Sequence, residues 1–153
     1  MGGEPYWYVV PYEADINAAL QKLRQREFQA GRYNPVISFL DFPIDANSPS
    51  PGPQHASIDE VLDTADEDGT RSILDLAQVS PVPFDGSQTP FMTVFPLAES
   101  ARLDLFGDVN PTWQMVENCQ DLWEGLQRGS GVYVVLYSGG KPHEIFFAGY
   151  SYD

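Results

Sequence analysis

Two apolar segments near the end of the chain decide the fold: VYVVLY over Val132–Tyr137 and EIFFAGY over Glu144–Tyr150. Both segments are rich in β-branched and aromatic residues, which favour strands. The residues between them, SGGKPH (138–143), include two adjacent glycines and are typical of a hairpin turn. The two segments therefore predict an antiparallel hairpin, which indicates an α+β fold rather than a doubly wound parallel sheet.

Strand and helix patterns alternate in the rest of the chain. Further strands are predicted over residues 6–12, 36–40, 72–79 and 91–95, and helices over 15–30, 58–69, 97–106 and 111–128. The first helix is the clearest, with Asp15 as its capping residue, one apolar face, and Gly31 at its end. We therefore predict a single α+β domain over 1–153, with a mixed or mainly antiparallel sheet of about five to six strands and about three to four helices.

The first and last strands are the most hydrophobic, and we expect them in the middle of the sheet. In the first strand both alternating faces are apolar, so we expect both to be covered. Pro11 lacks a ladder donor and favours the end of that strand or an edge position. Surplus tyrosines in the terminal strands suit core packing, with a pocket or a homodimer interface as the alternative.

Proline-rich segments interrupt the pattern twice. Residues 43–57 contain four prolines, which exclude a helix or a central strand and predict a long surface loop. Residues 80–90, SPVPFDGSQTP, form a second irregular segment. Loops as long as the first are often functional in compact domains.

The chain is strongly acidic, with 22 Asp and Glu residues, 8 Lys and Arg residues and a net charge of −14. This charge repels phosphate backbones and argues against a nucleic-acid ligand. Residues 41–75 alone carry nine acids and one base, a net charge of −8. Such a region attracts a basic partner, although solubility alone also explains an excess of acid.

The segment DTADEDGTRSIL, residues 63–74, raises the question of a calcium loop. Asp66 and Asp68 fit the third and fifth positions of an EF-hand loop aligned on Gly69, but Thr64 and Asp75 do not fit the first and twelfth. We therefore favour a polar turn after a helix, with no metal site. The candidate binding residues are Asp59, Glu60, Asp63, Asp66, Glu67, Asp68 and Arg71.

The sequence contains no recognisable catalytic constellation. Cys119 lies within a predicted helix, where a cysteine is usually a small buried hydrophobic residue. His55 and His143 have no ligand-spaced partner for zinc, and Ser138–Lys141 does not match a phosphate loop. We assign no catalytic residue, metal or cofactor, and the pattern leans away from an enzyme.

The remaining features concern the setting of the protein. The single cysteine excludes an internal disulfide and suits a reducing cytoplasm, and no apolar run is long enough to span a membrane. Small size, acidity and this fold class are typical of interaction modules, including bacterial immunity- or inhibitor-like proteins. We expect a module that contacts a basic protein partner. The alternatives are a small-molecule-binding domain or small carboxylate-dependent enzyme, and a self-associating subunit.

Overall fold

The computed structural model describes residues 4–34, 44, 46–65, 69–86 and 92–151. Within these ranges the fold is α+β, with five strands in one mixed sheet and five α-helices. The strands are β1 (Pro5–Pro11), β2 (Gln78–Val79), β3 (Thr93–Pro96), β4 (Gly131–Ser138) and β5 (Lys141–Tyr150). The helices are α1 (Ile16–Ala30), α2 (Ile58–Ala65), α3 (Glu99–Phe106), α4 (Trp113–Val116) and α5 (Gln120–Glu124).

The predicted C-terminal hairpin is confirmed. Strands β4 and β5 pair antiparallel, and Ser138 faces Lys141 across the turn. Gly139 and Gly140 have φ angles of +59° and +77°, and positive φ at both central residues is what a two-residue type I′ turn requires. The strands extend further into the SGGKPH segment than the apolar pattern predicts, because backbone pairing continues to this tight turn.

The strand order is β1-β5-β4-β3-β2. Strand β1 pairs antiparallel with β5, whereas β3 is parallel to both β4 and β2. The prediction of a central position is correct for β5 but wrong for β1, which is the outermost strand of the sheet in the described residues. Pro5 and Pro11 at its two ends lack N–H donors, which suits an edge strand.

Helices cover both faces of this sheet, and the prediction that both faces of β1 are covered is confirmed. Tyr6 and Tyr8 pack into one core with side chains of α1 and α2. Trp7 and Val9 point to the opposite face, where they join a second core with residues of α3, α4 and α5. Both faces of β1 are therefore hydrophobic because helices cover them, and not because the strand is central in the sheet.

The first helix begins and ends as predicted. The Asp15 side chain accepts a hydrogen bond from the Ala18 N–H at 3.0 Å. At the other end, Gly31 has a φ of +76°, and its N–H bonds the Phe28 carbonyl. Both features satisfy backbone groups that a helix terminus leaves without intrahelical partners.

Two predicted elements differ from the structure. The predicted strand over 72–79 is a short 3-10 helix, Ile73–Asp75, followed by the two-residue β2, because the Ser72 hydroxyl accepts a hydrogen bond from the Leu74 N–H and closes a turn. The predicted helix over 111–128 is divided into α4 and α5, because Cys119 between them is extended. The predicted strand over 36–40 lies outside the described residues.

Candidate functional site

Helix α2 presents the described part of the predicted acidic surface. Two side chains cap the start of this helix: Ser57 Oγ accepts from the Glu60 N–H at 3.2 Å, and Glu60 Oε2 accepts from the Ala56 N–H at 3.1 Å. Val61 is buried in the core. This orientation leaves the side chains of Asp59, Glu60 and Asp63 exposed, and we call these three residues the α2 acidic surface.

The structure describes only part of the remaining predicted binding residues. Asp66, Glu67 and Asp68 lie outside the described residues, so the structure does not bear on their part in the predicted surface. Gly69 has a φ of +76°, which agrees with the expected turn after the helix. Arg71 is half-buried and has a φ of +55°, a left-handed conformation that is uncommon for a residue with a side chain.

Asp75 differs from the three exposed acids of α2 because its side chain is inside the protein, with 1% exposure. Its Oδ1 accepts a hydrogen bond of 2.7 Å from the Thr70 N–H. Thr70 and Ser72, also fully buried, join their hydroxyl groups at 2.8 Å. Asp75 therefore contributes no charge to an exposed acidic surface, and the acidic region is smaller than the sequence indicates.

Burial perturbs the titration of this carboxyl group. Removal from water raises the pKa of Asp75 from 3.8 to about 6, although the Thr70 and Arg71 backbone N–H groups and the positive charge of Arg24 act in the opposite direction. Oδ2 is buried and has no hydrogen-bond partner among the described residues. The free-energy cost of protonating this carboxyl group is therefore small near neutral pH.

Arg24 of α1 is bonded to the segment that contains this buried cluster. Its Nη2 donates to the Leu74 carbonyl at 3.0 Å, and its Nη1 donates to Gln21 Oε1 at 2.9 Å. Burial lowers the pKa of Arg24, whereas the negative charges of Asp59 and Asp75 raise it. Asp59 of the α2 acidic surface therefore acts electrostatically on the buried guanidinium group of Arg24.

A second ionic cluster closes the end of α1. Glu27 is completely buried, and its two carboxylate oxygens each accept a 2.7 Å bond from Arg32, one from Nε and one from Nη2. Arg26 adds a third bond, of 2.9 Å, to Oε2. A carboxylate buried in the protein needs positively charged partners that compensate for its lost hydration, and the two arginines supply them at the end of α1.

An apolar groove lies on the opposite face of the sheet, between α3 and α5. It consists of two cavities with volumes of about 190 and 370 Å³. The cavities share the lining residues Leu97, Ala101, Gly125, Leu126 and Val132, so they form one continuous surface. Asp104 and Asp121 line the larger cavity, and Phe84 and Phe95 line the smaller one. We call this surface the α3/α5 groove; no motif in the sequence indicates it.

The histidines and the cysteine do not come together. His55 Nδ1 lies 3.1 Å from the hydroxyl oxygen of Tyr33, whereas His143 is exposed in β5. The half-buried Cys119 directs its Sγ to the Leu105 carbonyl at 3.6 Å. Among the residues that the structure describes, no three His, Cys, Asp or Glu side chains form a group that could hold a metal ion.

Comparisons with family models, with curated proteins and with solved structures found no match. None of the helices in the described ranges combines the length and the apolar character that crossing a bilayer requires.

Proposed function

We propose that this protein is an interaction module that contacts a basic protein partner through the α2 acidic surface. The observation that carries the proposal is the orientation of α2: its apolar side packs into the core, and Asp59, Glu60 and Asp63 are all exposed on the outside. Charges held on a capped helix are preorganised, which favours electrostatic steering of a partner with the opposite charge.

One concrete form of this function is an immunity- or inhibitor-like protein whose carboxylates cover a basic active site. The net charge of −14 supports an inhibitor-like function, because the whole protein then attracts a basic partner before the two surfaces are in contact. We propose the cytoplasm as the compartment, because the single cysteine is free in the structure and a free thiol suits a reducing environment.

A carboxylate-dependent enzyme has weaker support. Asp75 has a pKa near that of a useful general base, but its side chain is almost completely enclosed. Neither cavity of the α3/α5 groove includes it. A substrate would therefore need a path to Asp75 that the described residues do not provide.

The proposal is tested by affinity capture from native lysate of the source cells at low salt, followed by a salt gradient and mass spectrometry. The bait is the wild-type protein beside two variants of equal net charge. In one, Asp59→Asn and Asp63→Lys alter the α2 acidic surface; Asp63 is chosen because it lies in the last turn, where a lysine suits the helix dipole. In the other, Glu117→Gln and Glu124→Lys alter exposed residues of the opposite face.

We expect one basic protein to elute at moderate salt from the wild type and from the Glu117/Glu124 variant. With the purified partner, the α2 variant is expected to bind about tenfold more weakly, with a smaller dependence on salt. Equal losses of affinity in the two variants would show that binding depends on net charge and not on the α2 acidic surface. Retention of the partner at high salt would also contradict the proposal.

A further inference from the structure

Helix α3 is unusually poorly covered for an element of a folded domain. None of its eight residues is fully buried, and the Leu103 side chain is 53% exposed. Leu105 and Phe106 contact the core only with part of their surface. The apolar residues of α3 are not gathered on one strongly apolar side, and their partly exposed side chains leave apolar surface for a further contact.

Part of that surface, at Ala101 and Leu105, is concave and lines the α3/α5 groove, whereas Leu103 lies outside the groove. Ala101 and Leu105 of α3 form one side, Leu122 of α5 and Leu126 form the other, and Val132 of β4 lies at the base. A groove between two helices has the shape that accepts a third amphipathic segment through side chains at helical spacing.

The charges at the groove define the chemistry of its occupant. Asp104 and Asp121 line the larger cavity from its two opposite helices, and both are exposed. Residues 99–124 carry six acids against the single base Arg102. An apolar surface with acidic sides is complementary to an apolar segment flanked by positive charges.

We propose that the α3/α5 groove binds a short amphipathic segment of a partner protein, with apolar side chains in the groove and lysine or arginine beside Asp104 and Asp121. This site lies on the opposite face of the sheet from the α2 acidic surface and does not depend on it. The inference therefore adds a second, partly hydrophobic contact to a protein whose other proposed surface is purely charged.

Gly125 provides a way to close the groove without changing its charge. A Cβ atom at this position would meet only the carbonyl oxygens of Leu122 and Asp121, at 3.8 and 4.0 Å, which is ordinary contact distance. Its φ of −89° also suits any residue. We therefore expect Gly125→Leu to fold and to fill the groove, with Ala101→Leu on the opposite side as a second closing variant.

The probe is a synthetic fluorescent peptide of about 14 residues, roughly 20 Å long as a helix, with leucine and lysine at helical spacing. A matched peptide has glutamate in place of lysine, and a scrambled peptide keeps the composition without the spacing. Binding is measured by fluorescence anisotropy, and thermal unfolding checks that each variant is folded.

We expect the lysine peptide to bind the wild type and the glutamate and scrambled peptides to bind at least about tenfold more weakly. Gly125→Leu and Ala101→Leu should each weaken the lysine peptide by about tenfold, as expected for loss of a central apolar contact. The pair Asp104→Asn and Asp121→Asn should weaken it several-fold more than the pair Glu99→Gln and Glu117→Gln, which removes the same charge outside the groove.

Three results would overturn the inference. Unchanged affinity in both closing variants would show that the peptide binds elsewhere, and equal effects of the two charge pairs would reduce the attraction to net charge. Self-association of the wild type that Gly125→Leu abolishes in sedimentation would make a second copy the occupant. The Asp59/Asp63 variant should bind the peptide as well as the Glu117/Glu124 variant does, so failure of the α2 proposal remains distinguishable.

Discussion

Asp75 is held in place by the backbone of the turn that precedes it. The Thr70 N–H donates to its Oδ1, and the Ser72 hydroxyl caps the 3-10 helix in which Asp75 is the last residue. The pattern S-x-x-D over residues 72–75 is the sequence signature of such a cap. A strand is favoured instead by four apolar residues of this segment, Ile73, Leu74, Leu76 and Val79. The strand prediction is wrong for Ile73–Asp75, because the Ser72 cap takes precedence over this weak propensity.

Replacing Asp75 with asparagine should change how stability depends on pH. The folded protein holds the Asp75 proton up to about pH 6, whereas the unfolded chain releases it near 3.8. Between these values the folded state binds more protons, so this residue's contribution to the free energy of unfolding falls as the pH rises and is lowest above about 6. At 1.36 kcal/mol per pH unit, the full change is about 3 kcal/mol.

The measurement is urea unfolding of the wild type and Asp75→Asn between about pH 4 and 8. We expect the variant to gain stability relative to the wild type as the pH rises, with most of the gain between about 4 and 6. The other carboxyl groups are common to both proteins and cancel in this difference. Parallel pH profiles would show that Asp75 ionises at an ordinary pH in the folded protein.

At the scale of elements, the end of α1 is joined to the proline-rich segment. Gly31 lies against the backbone of Gly52, and the Gly52 N–H donates to the Ala30 carbonyl at 2.9 Å. The Tyr33 and His55 side chains add a second contact between the same two segments. This part of the predicted surface loop is therefore packed onto the helix, which its composition does not reveal.

Substitution of Gly31 by alanine should destabilise the protein for two separate reasons. The left-handed φ of +76° costs a residue with a Cβ about 1–2 kcal/mol. The new Cβ would also collide with the Gly52 carbonyl group, whose carbon would be 2.8 Å away, and such overpacking adds about 1–3 kcal/mol. The matched control is Gly107→Ala: Gly107 has a φ of +80°, and no described residue lies within 4 Å of the added atom.

Chemical denaturation of both alanine variants separates the two effects. We expect Gly107→Ala to lose only the conformational part, about 1–2 kcal/mol, and Gly31→Ala to lose clearly more. Equal losses would mean that the proline-rich segment does not pack against the end of α1 as the structure has it.

The elements that the sequence predicts well are those whose signals are local. Helix α1 has a capping aspartate, a periodic apolar face and a terminal glycine, and the hairpin has two apolar strands around Gly139 and Gly140. The position of β1 is not local: it depends on which strand pairs with β5, and hydrophobicity cannot distinguish burial by helices from burial by neighbouring strands. The α3/α5 groove is also non-local, because it arises from incomplete packing between distant segments.

At the scale of the whole molecule, acidic residues occupy both helical layers. Asp59 and Asp63 are exposed on one side of the sheet, and Asp104, Asp121 and Glu124 on the other. The sequence overstates the exposed charge between residues 41 and 75, since Asp75 is internal. Like charges distributed around a small domain repel one another in the folded state more than in an expanded chain.

This repulsion predicts that moderate sodium chloride stabilises the protein. At about 10 mM salt the Debye length is roughly 30 Å, so charges on both layers interact, whereas at about 0.3 M salt it is only several ångströms. If screening recovers about 1 kcal/mol, the unfolding midpoint of a chain of this size should rise by about 3 °C.

The variant that combines Asp59→Asn, Asp63→Lys, Glu117→Gln and Glu124→Lys carries less negative charge, so we expect it to start from a higher midpoint at low salt and to gain less. Calorimetric scans of both proteins at the two salt concentrations measure this. A midpoint that does not respond to salt, or an equal response in both proteins, would mean that the acidic surface does not destabilise the fold, since the repulsion would then be compensated within each layer.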